Sequence, residues 1–262
     1  MGERLRRILP PVLTVILFLI VWEAGVRLSG IEDWLLPAPS GIAISFAESW
    51  ELVQRHTWPT LQEATLGFVL GIGVALLLAV LIDLFPWLRR GVYPLLIGSQ
   101  TVPIIAIAPL LILWFGYGLF PKVLIVALVT FFPVVVNTVD GLSSADSDQV
   151  RLLKSMGAND WQIFRLVRFP QALPSFFSGM KIAATYGILG AVIAEWLGAS
   201  EGLGVFLIRS QNSFAADQVF VAIVVITFWS LVLFSLVQLI ARFATPWVYI
   251  EKKENRKGEK ET

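Results

Sequence analysis

The 262 residues offer little with which to do covalent chemistry. There is one histidine and no cysteine. His56 lies in a polar stretch with no second imidazole in the chain, which describes a solvated loop residue rather than a ligand or a base. Without cysteine there is neither a disulfide nor a thiolate metal site. An intramembrane enzyme would need a nucleophile with its base, or metal ligands, grouped at one depth, so no catalysis, metal or cofactor is expected. Nothing matches the G-x-x-x-x-G-K-[ST] phosphate loop, and Gly202 and Gly204 in EGLGVF lack the third glycine of a dinucleotide fingerprint. The remaining candidates are polar groups inside apolar runs: Gln100, Thr101, Asn137, Thr185, Tyr186 and Glu195. Such groups are costly in lipid and face a partner or an aqueous path, so they are the candidate translocation pathway. Glu195, beside Trp196, reads equally as a pathway carboxylate or as one reaching headgroup water. Asp83 is expected to be solvated, and Gly67 and Gly71 to serve helix packing.

A second patterned set lies in the polar segment from about Asp140 to Pro174. Asp146 and Gln149 have the spacing of a capping box, opening a helix through Val150, Leu152, Leu153 and Met156. Gly157 is placed to end it in a left-handed conformation. Asn159 with Gln162 caps a second helix carrying Ile163, Phe164 and Val167, and Pro170 is expected to close it. Two short helices around a glycine make a stiff element rather than a tether. Its cations Arg151, Lys154, Arg165 and Arg168 fit either membrane lipid headgroups or a docking partner.

The elements that must position these groups are transmembrane. The chain is 56% hydrophobic and 15% charged, with a mean hydropathy of +0.77, which marks an all-α membrane protein. A net charge of +1 gives no footprint for nucleic acid. Six runs are long enough to cross a hydrocarbon core of about 30 Å: Leu9 to Leu28, Ala64 to Phe85, Tyr93 to Phe115, Leu119 to Val139, Ser175 to Leu197 and Val219 to Phe243. Pro94, Pro103 and Pro109 should kink or split the third. No strong internal repeat is evident.

With both termini cytoplasmic, sixteen of the twenty lysines and arginines fall inside, leaving Arg27, Arg55, Lys122 and Arg209 outside, as the positive-inside rule asks. Trp34, Trp114 and Trp196 then mark the outer interface, Trp87 and Trp247 the inner one. The opening RLRR and its apolar run also describe a signal peptide, but Trp22, Glu23 and Arg27 follow instead of a small-residue cleavage site, which favours a retained span. Residues 1-250 form the six-helix domain and 251-262 a charged cytoplasmic tail. Between Ser29 and Glu63 an amphipathic helix with Leu35, Leu36, Ile42, Ile44, Phe46 and Trp50 is expected on the outer surface, and from Gly198 to Gln218 a loop returning to the interface.

Gly157, nine residues, Val167, one residue, Phe169 and Pro170 resemble the glycine, spacer, isoleucine, leucine, proline portion of the cytoplasmic motif in permease subunits of binding-protein-dependent ABC importers. That motif begins with glutamate and two alanines, where this chain has Arg151, Leu152 and Leu153. The stretch LKSMGANDWQIFRLVRFPQALPSFFSGMKIAATYGILGAVIAEWLGASEGLG is similar to the nitrate, sulfonate, taurine and hydroxymethylpyrimidine branch. The resemblance implies a type I importer permease fold with a coupling-helix hairpin. It implies a separate ABC ATPase subunit touching Leu153, Ser155, Met156, Gly157, Ala158, Asn159 and Asp160, an extracytoplasmic substrate-binding protein at the outer loops, and a second permease chain, most simply a homodimer, in a bacterial cell membrane. TYGILGAVIAEWLGASEGLGVF looks closest to permeases for a hydroxymethylpyrimidine-type thiamine precursor, with nitrate, taurine and other sulfonates as alternatives. A secondary transporter independent of ATP is the rival of another class, and would place broken helices or coupling carboxylates in corresponding positions of two repeats.

Overall fold

The computed structural model describes residues 2-248, so the expected tail at 251-262 lies outside the described residues. Every element among them is helical. In order they are α1 (Gly2–Ser29), α2 (Pro39–Glu48), α3 (Trp50–Leu84), α4 (Pro86–Ser99), α5 (Ile104–Phe115), α6 (Leu119–Ser143), α7 (Ser147–Ser155), α8 (Asp160–Ile163), a π-helical turn (Phe164–Arg168), α9 (Phe169–Trp196), α10 (Leu203–Asn212) and α11 (Ala216–Ala244). Five helical stretches are long and apolar enough to span a membrane, and α4 with α5, bent by 100°, makes a sixth when counted as one span.

The bend is local chemistry. Pro103 has no N–H and disfavours a helical Val102 before it. The end of α4 therefore tightens into bonds from Gln100 N to Ile97 O, Thr101 N to Gly98 O and Val102 N to Ser99 O, and α5 starts afresh with Ala106 N to Pro103 O. The third span is split, as its prolines require, while Pro94, Pro109 and Pro133 are absorbed within helices.

Three expectations on extent are corrected. The second span begins at Trp50 rather than Ala64, because Val53, His56, Thr60, Glu63 and Gly67 already form a helical face turned into the protein. At 35 residues, α3 is about 52 Å long and exceeds the hydrocarbon thickness. The amphipathic helix expected before it exists as α2, confined to Pro39–Glu48. Pro170 does not close a helix: α8 runs through the π turn into α9. The wide turn supplies the reason, since Phe169 N–H reaches back to Phe164 O and the proline follows where one donor can be spared.

The centre of the bundle is α6 packed between α3 and α9. Gly67 and Gly71 allow the α3 contact, for a Cβ at Gly67 would stand 2.4 Å from Val126 Cβ and one at Gly71 2.7 Å from Ala127 O. The helix-packing reading of this pair is borne out. One end of the bundle, the hairpin end, buries Ala79, Ile82, Val139, Leu142, Phe164, Ala172 and Ala241 together. The other, the loop end, buries Ile42, Val53, Val192, Leu203, Phe206 and Val221. Leu88, Val92 and Leu96 of α4 pack at the hairpin end, whereas Ala108 and Leu111 of α5 pack against Ile125 and Ala194. The bent pair thus travels from one end toward the other, with its break between.

Candidate functional site

The hairpin follows its sequence signals closely. Asp146 accepts from Asp148 N–H (2.8 Å) and Gln149 N–H (3.4 Å) at the start of α7. The reciprocal half of that box is not made by Gln149: Gln171 Oε1 accepts from Asp146 N–H, and Gln171 Nε2 donates to Gln149 Oε1. The first hairpin helix is in this way tied to α9. Gly157 has φ +84° and ends α7, with Ala158 N–H bonded to Leu153 O. Asn159 and Gln162 complete a full capping box, at 2.9 and 2.8 Å. Such caps contribute roughly 1 kcal/mol each.

The tip is apolar and open. Met156 is 73% exposed, with Leu152 and Trp161 also outside, and Trp161 stacks on the buried Phe164 at 5.4 Å. Ser155, Gly157, Asn159 and Asp160 are exposed as well, while Leu153 and Ala158 are half-buried. The seven sequence-expected coupling residues therefore form one contiguous tip.

Behind the tip the hairpin is fastened to the bundle. Arg168 Nη1 lies 3.1 Å from both Oδ1 and Oδ2 of Asp83, whose side chain is only 7% exposed. The expectation of a solvated Asp83 is corrected: the π turn brings a guanidinium to it. Nearby, Arg89 donates to Ser143 Oγ (2.7 Å) and the Tyr93 hydroxyl to Asp140.

At the loop end, His56, which the sequence places in a solvated loop, joins Thr60 and Glu195 in a clasp. His56 is 3% exposed, on α3 rather than in a loop, and its Nδ1 accepts from Gly202 N–H at 2.9 Å while the ring stacks on Phe206. The Thr60 hydroxyl accepts from Leu203 N–H (2.8 Å) and donates to Glu195 Oε1 (2.5 Å), whose Oε2 accepts from Gly204 N–H (2.6 Å). Three successive N–H groups at the start of α10 are thereby held by side chains of α3 and α9. Glu195, 1% exposed, reaches no headgroup water. Gly202 is required here, since φ is +132° and a Cβ would fall 2.1 Å from Glu195 Cδ. Arg55 latches the same loop from outside by pairing with Glu201 at 2.7 Å, and this guanidinium holds the Glu201 carboxyl below its ordinary pKa. Lys122 pairs with the buried Glu63 at 2.5 Å, joining α6 to α3. The signal for the clasp was the spacing of Val53, His56, Thr60, Glu63 and Gly67 along one helical stripe.

The other candidate pathway groups are scattered over the α4/α5 break, α9 and α6. Gln100 and Thr101 sit exposed at the α4/α5 break. Thr185 and Tyr186 lie, with Ile182 and Leu189, on an exposed strip of α9 whose other face is buried. Asn137 is half-buried on α6 and donates to Pro133 O. No group of acidic or imidazole side chains able to hold a metal occurs among the described residues.

A bundle of five or six apolar spans, with a capped apolar-tipped hairpin at one end, defines a multi-pass membrane transport subunit. Residues 67-248 match the family described as the binding-protein-dependent transport system inner membrane component, and the chain belongs to this family of ABC importer permeases. It is 37% identical to the formylaminopyrimidine transport permease protein of Halalkalibacterium halodurans over 94% of this chain and 98% of that protein. It is 38% identical to the riboflavin transport system permease protein of Chloroflexus aurantiacus (89% and 88% covered), and 29% identical to the taurine transport system permease protein of Escherichia coli (89% and 88% covered). The fold is that of a chain of the MetNI methionine ABC transporter in an inward facing conformation, with a TM-score of 0.65, 20% identity, and coverage of 75% of this chain and 97% of that one. The expected permease fold and family are borne out.

Proposed function

We propose that this permease carries a hydroxymethylpyrimidine-type thiamine precursor, or a closely related aminopyrimidine, into the cell. The observation that carries the substrate is the 37% identity, over nearly both full lengths, to a formylaminopyrimidine permease. The riboflavin relative, at similar identity, shares a planar nitrogen heterocycle as its named cargo, whereas the taurine relative is more distant. Nitrate, taurine and aliphatic sulfonates are the alternatives. Uncharged donors and acceptors at Gln100, Thr101, Asn137, Thr185 and Tyr186 suit a neutral polar ring better than an oxyanion.

The solute passes along the exposed break and the exposed face of α9, at the junction with a second copy of the chain. Irregular backbone at membrane depth is stable only when covered by protein or bordering water, and residues 100-103 are covered by nothing in one chain. Glu195 acts at the end of that path by holding the loop before α10. Both termini and the hairpin face the cytoplasm, where the tip docks on a separate ABC ATPase subunit. The loop end receives an extracytoplasmic binding protein. A secondary transporter is disfavoured because the described residues hold one broken span, with no counterpart in a second repeat.

The test is uptake into proteoliposomes containing the permease, its ATPase and its binding protein. Labelled aminopyrimidine should accumulate only with ATP, with unlabelled aminopyrimidine competing better than riboflavin or taurine. Preferential competition by taurine would overturn the substrate assignment, and uptake without the ATPase would overturn the importer.

A further inference from the structure

A second site lies at the hairpin end, away from the proposed path. A cavity of about 400 Å³ opens between the α3/α4 junction, the end of α6, α7 and the π turn. Its walls carry Arg89, Arg151, Lys154 and Arg168, with the hydroxyl groups of Ser143 and Ser147 between them. The one acidic wall residue, Asp83, is already engaged by Arg168. Three further carboxylates lie on the flanking segments: Asp148, at the surface 3.8 Å from Arg151 on the same helix, where solvent screens it; Asp146, which caps α7; and Asp140, which accepts from the Tyr93 hydroxyl. Arg89 is bonded only to a neutral hydroxyl. Cations from three separate elements thus converge on one polar opening whose only acidic wall residue is already paired.

We propose that this cleft binds a phosphate group, presented by an anionic lipid headgroup or free in solution. Forked guanidinium groups match phosphate oxygens bidentately, and a lysine adds a mobile point charge. The setting favours the same chemistry. The cleft sits where the long spans end, beside the exposed Trp87, and basic clefts between helices at that depth are suited to anionic headgroups. Arg165 lies on the same hairpin but outside the cleft, so the charges divide into a converging set and a bystander. A bound phosphate would bridge Arg89, on the bundle, to Arg151 and Lys154, on the hairpin, and so stiffen the joint between them. None of this depends on the substrate or on the ATPase.

The test uses the full chain in nanodiscs of phosphatidylcholine, with two arms: addition of phosphatidylglycerol, or of inorganic phosphate. Native mass spectrometry counts retained lipid, and the unfolding temperature reports either ligand. The wild type should gain thermal stability in at least one arm. The R151Q/K154Q double variant, and separately Arg89→Gln on another helix, should weaken that response about tenfold, while Arg165→Gln leaves it intact. A response confined to the lipid arm assigns the phosphate to a headgroup, and one with inorganic phosphate alone assigns it to a free anion. No response in either arm, or equal loss in Arg165→Gln, overturns the site.

Discussion

Arg168 places one guanidinium nitrogen 3.1 Å from each carboxylate oxygen of Asp83, and so fastens the turn behind the hairpin to the end of a 35-residue helix. The same helix holds the loop before α10 through His56 and Thr60. One rod therefore joins the hairpin to the opposite face of the bundle.

Breaking this pair should uncouple the machine. Arg168→Ala leaves a carboxylate almost without solvent or partner, a loss of about 2 kcal/mol once the partial exposure of the arginine is allowed for. In the assembled complex, ATP hydrolysis should persist while uptake per ATP falls severalfold. The swapped pair D83R/R168D should recover part of the uptake. Equal loss of hydrolysis and uptake in both would show that the contact serves folding only.

The left-handed residue of the hairpin should be indispensable to transport but not to insertion. Gly157→Ala costs about 1–2 kcal/mol at φ +84°, and Gly157→Pro cannot adopt that angle at all. Membrane levels of the proline variant should match wild type while uptake is abolished. Normal uptake would remove the hairpin from the coupling role.

Met156→Asp should weaken co-purification with the ATPase by at least about tenfold, because a charge replaces an apolar side chain at the exposed tip. The unfolding temperature of the permease alone should not change, since Met156 packs against so little of its own chain. Undiminished co-purification would move the docking surface elsewhere.

In the clasp, the order of damage is set by geometry. Gly202→Ala forces a Cβ into the Glu195 carboxyl and should be the most destabilising. Thr60→Val leaves Leu203 N–H and a Glu195 carboxyl oxygen unpaired, and Glu195→Ala leaves Gly204 N–H unpaired, each at about 1–3 kcal/mol. Thermal unfolding in detergent would rank the three, and a Gly202→Ala protein as stable as wild type would refute the close approach.

The outer latch should be sensitive to acid. Arg55 lowers the pKa of Glu201, so the ion pair stabilises the folded loop above the ordinary glutamate range, near pH 4, and that contribution disappears as pH falls through the lowered value. Hydrogen-exchange protection at residues 198-202, corrected for the intrinsic pH dependence of amide exchange, should fall under acid in the wild type. Glu201→Gln should exchange faster at neutral pH and respond less to acid.

Much of this was legible in the sequence where local rules decide. The caps at Asp146 and Asn159, the turn at Gly157 and the break before Pro103 each depend on residues within one or two turns, and each was found. What failed needed distant partners. Asp83 meets Arg168 and His56 meets Gly202 across 85 and 146 residues, and an isolated polar residue in a sequence defaults to water. Pro170 misled for a related reason, because a π turn can spare the bond that proline removes. For the same cause Glu195 left two readings open until Thr60 and Gly204 appeared beside it.

The halves of the broken span have a consequence for how the protein is made. At 14 and 12 residues they are about 21 and 18 Å long, and neither can cross a bilayer alone. The insertion machinery cannot release them one at a time into lipid as they emerge. They must wait in its shelter until both have been synthesised, so truncation just after Ser99 should yield a nascent chain that remains bound at the translocon, whereas truncation after Phe115 should let it go.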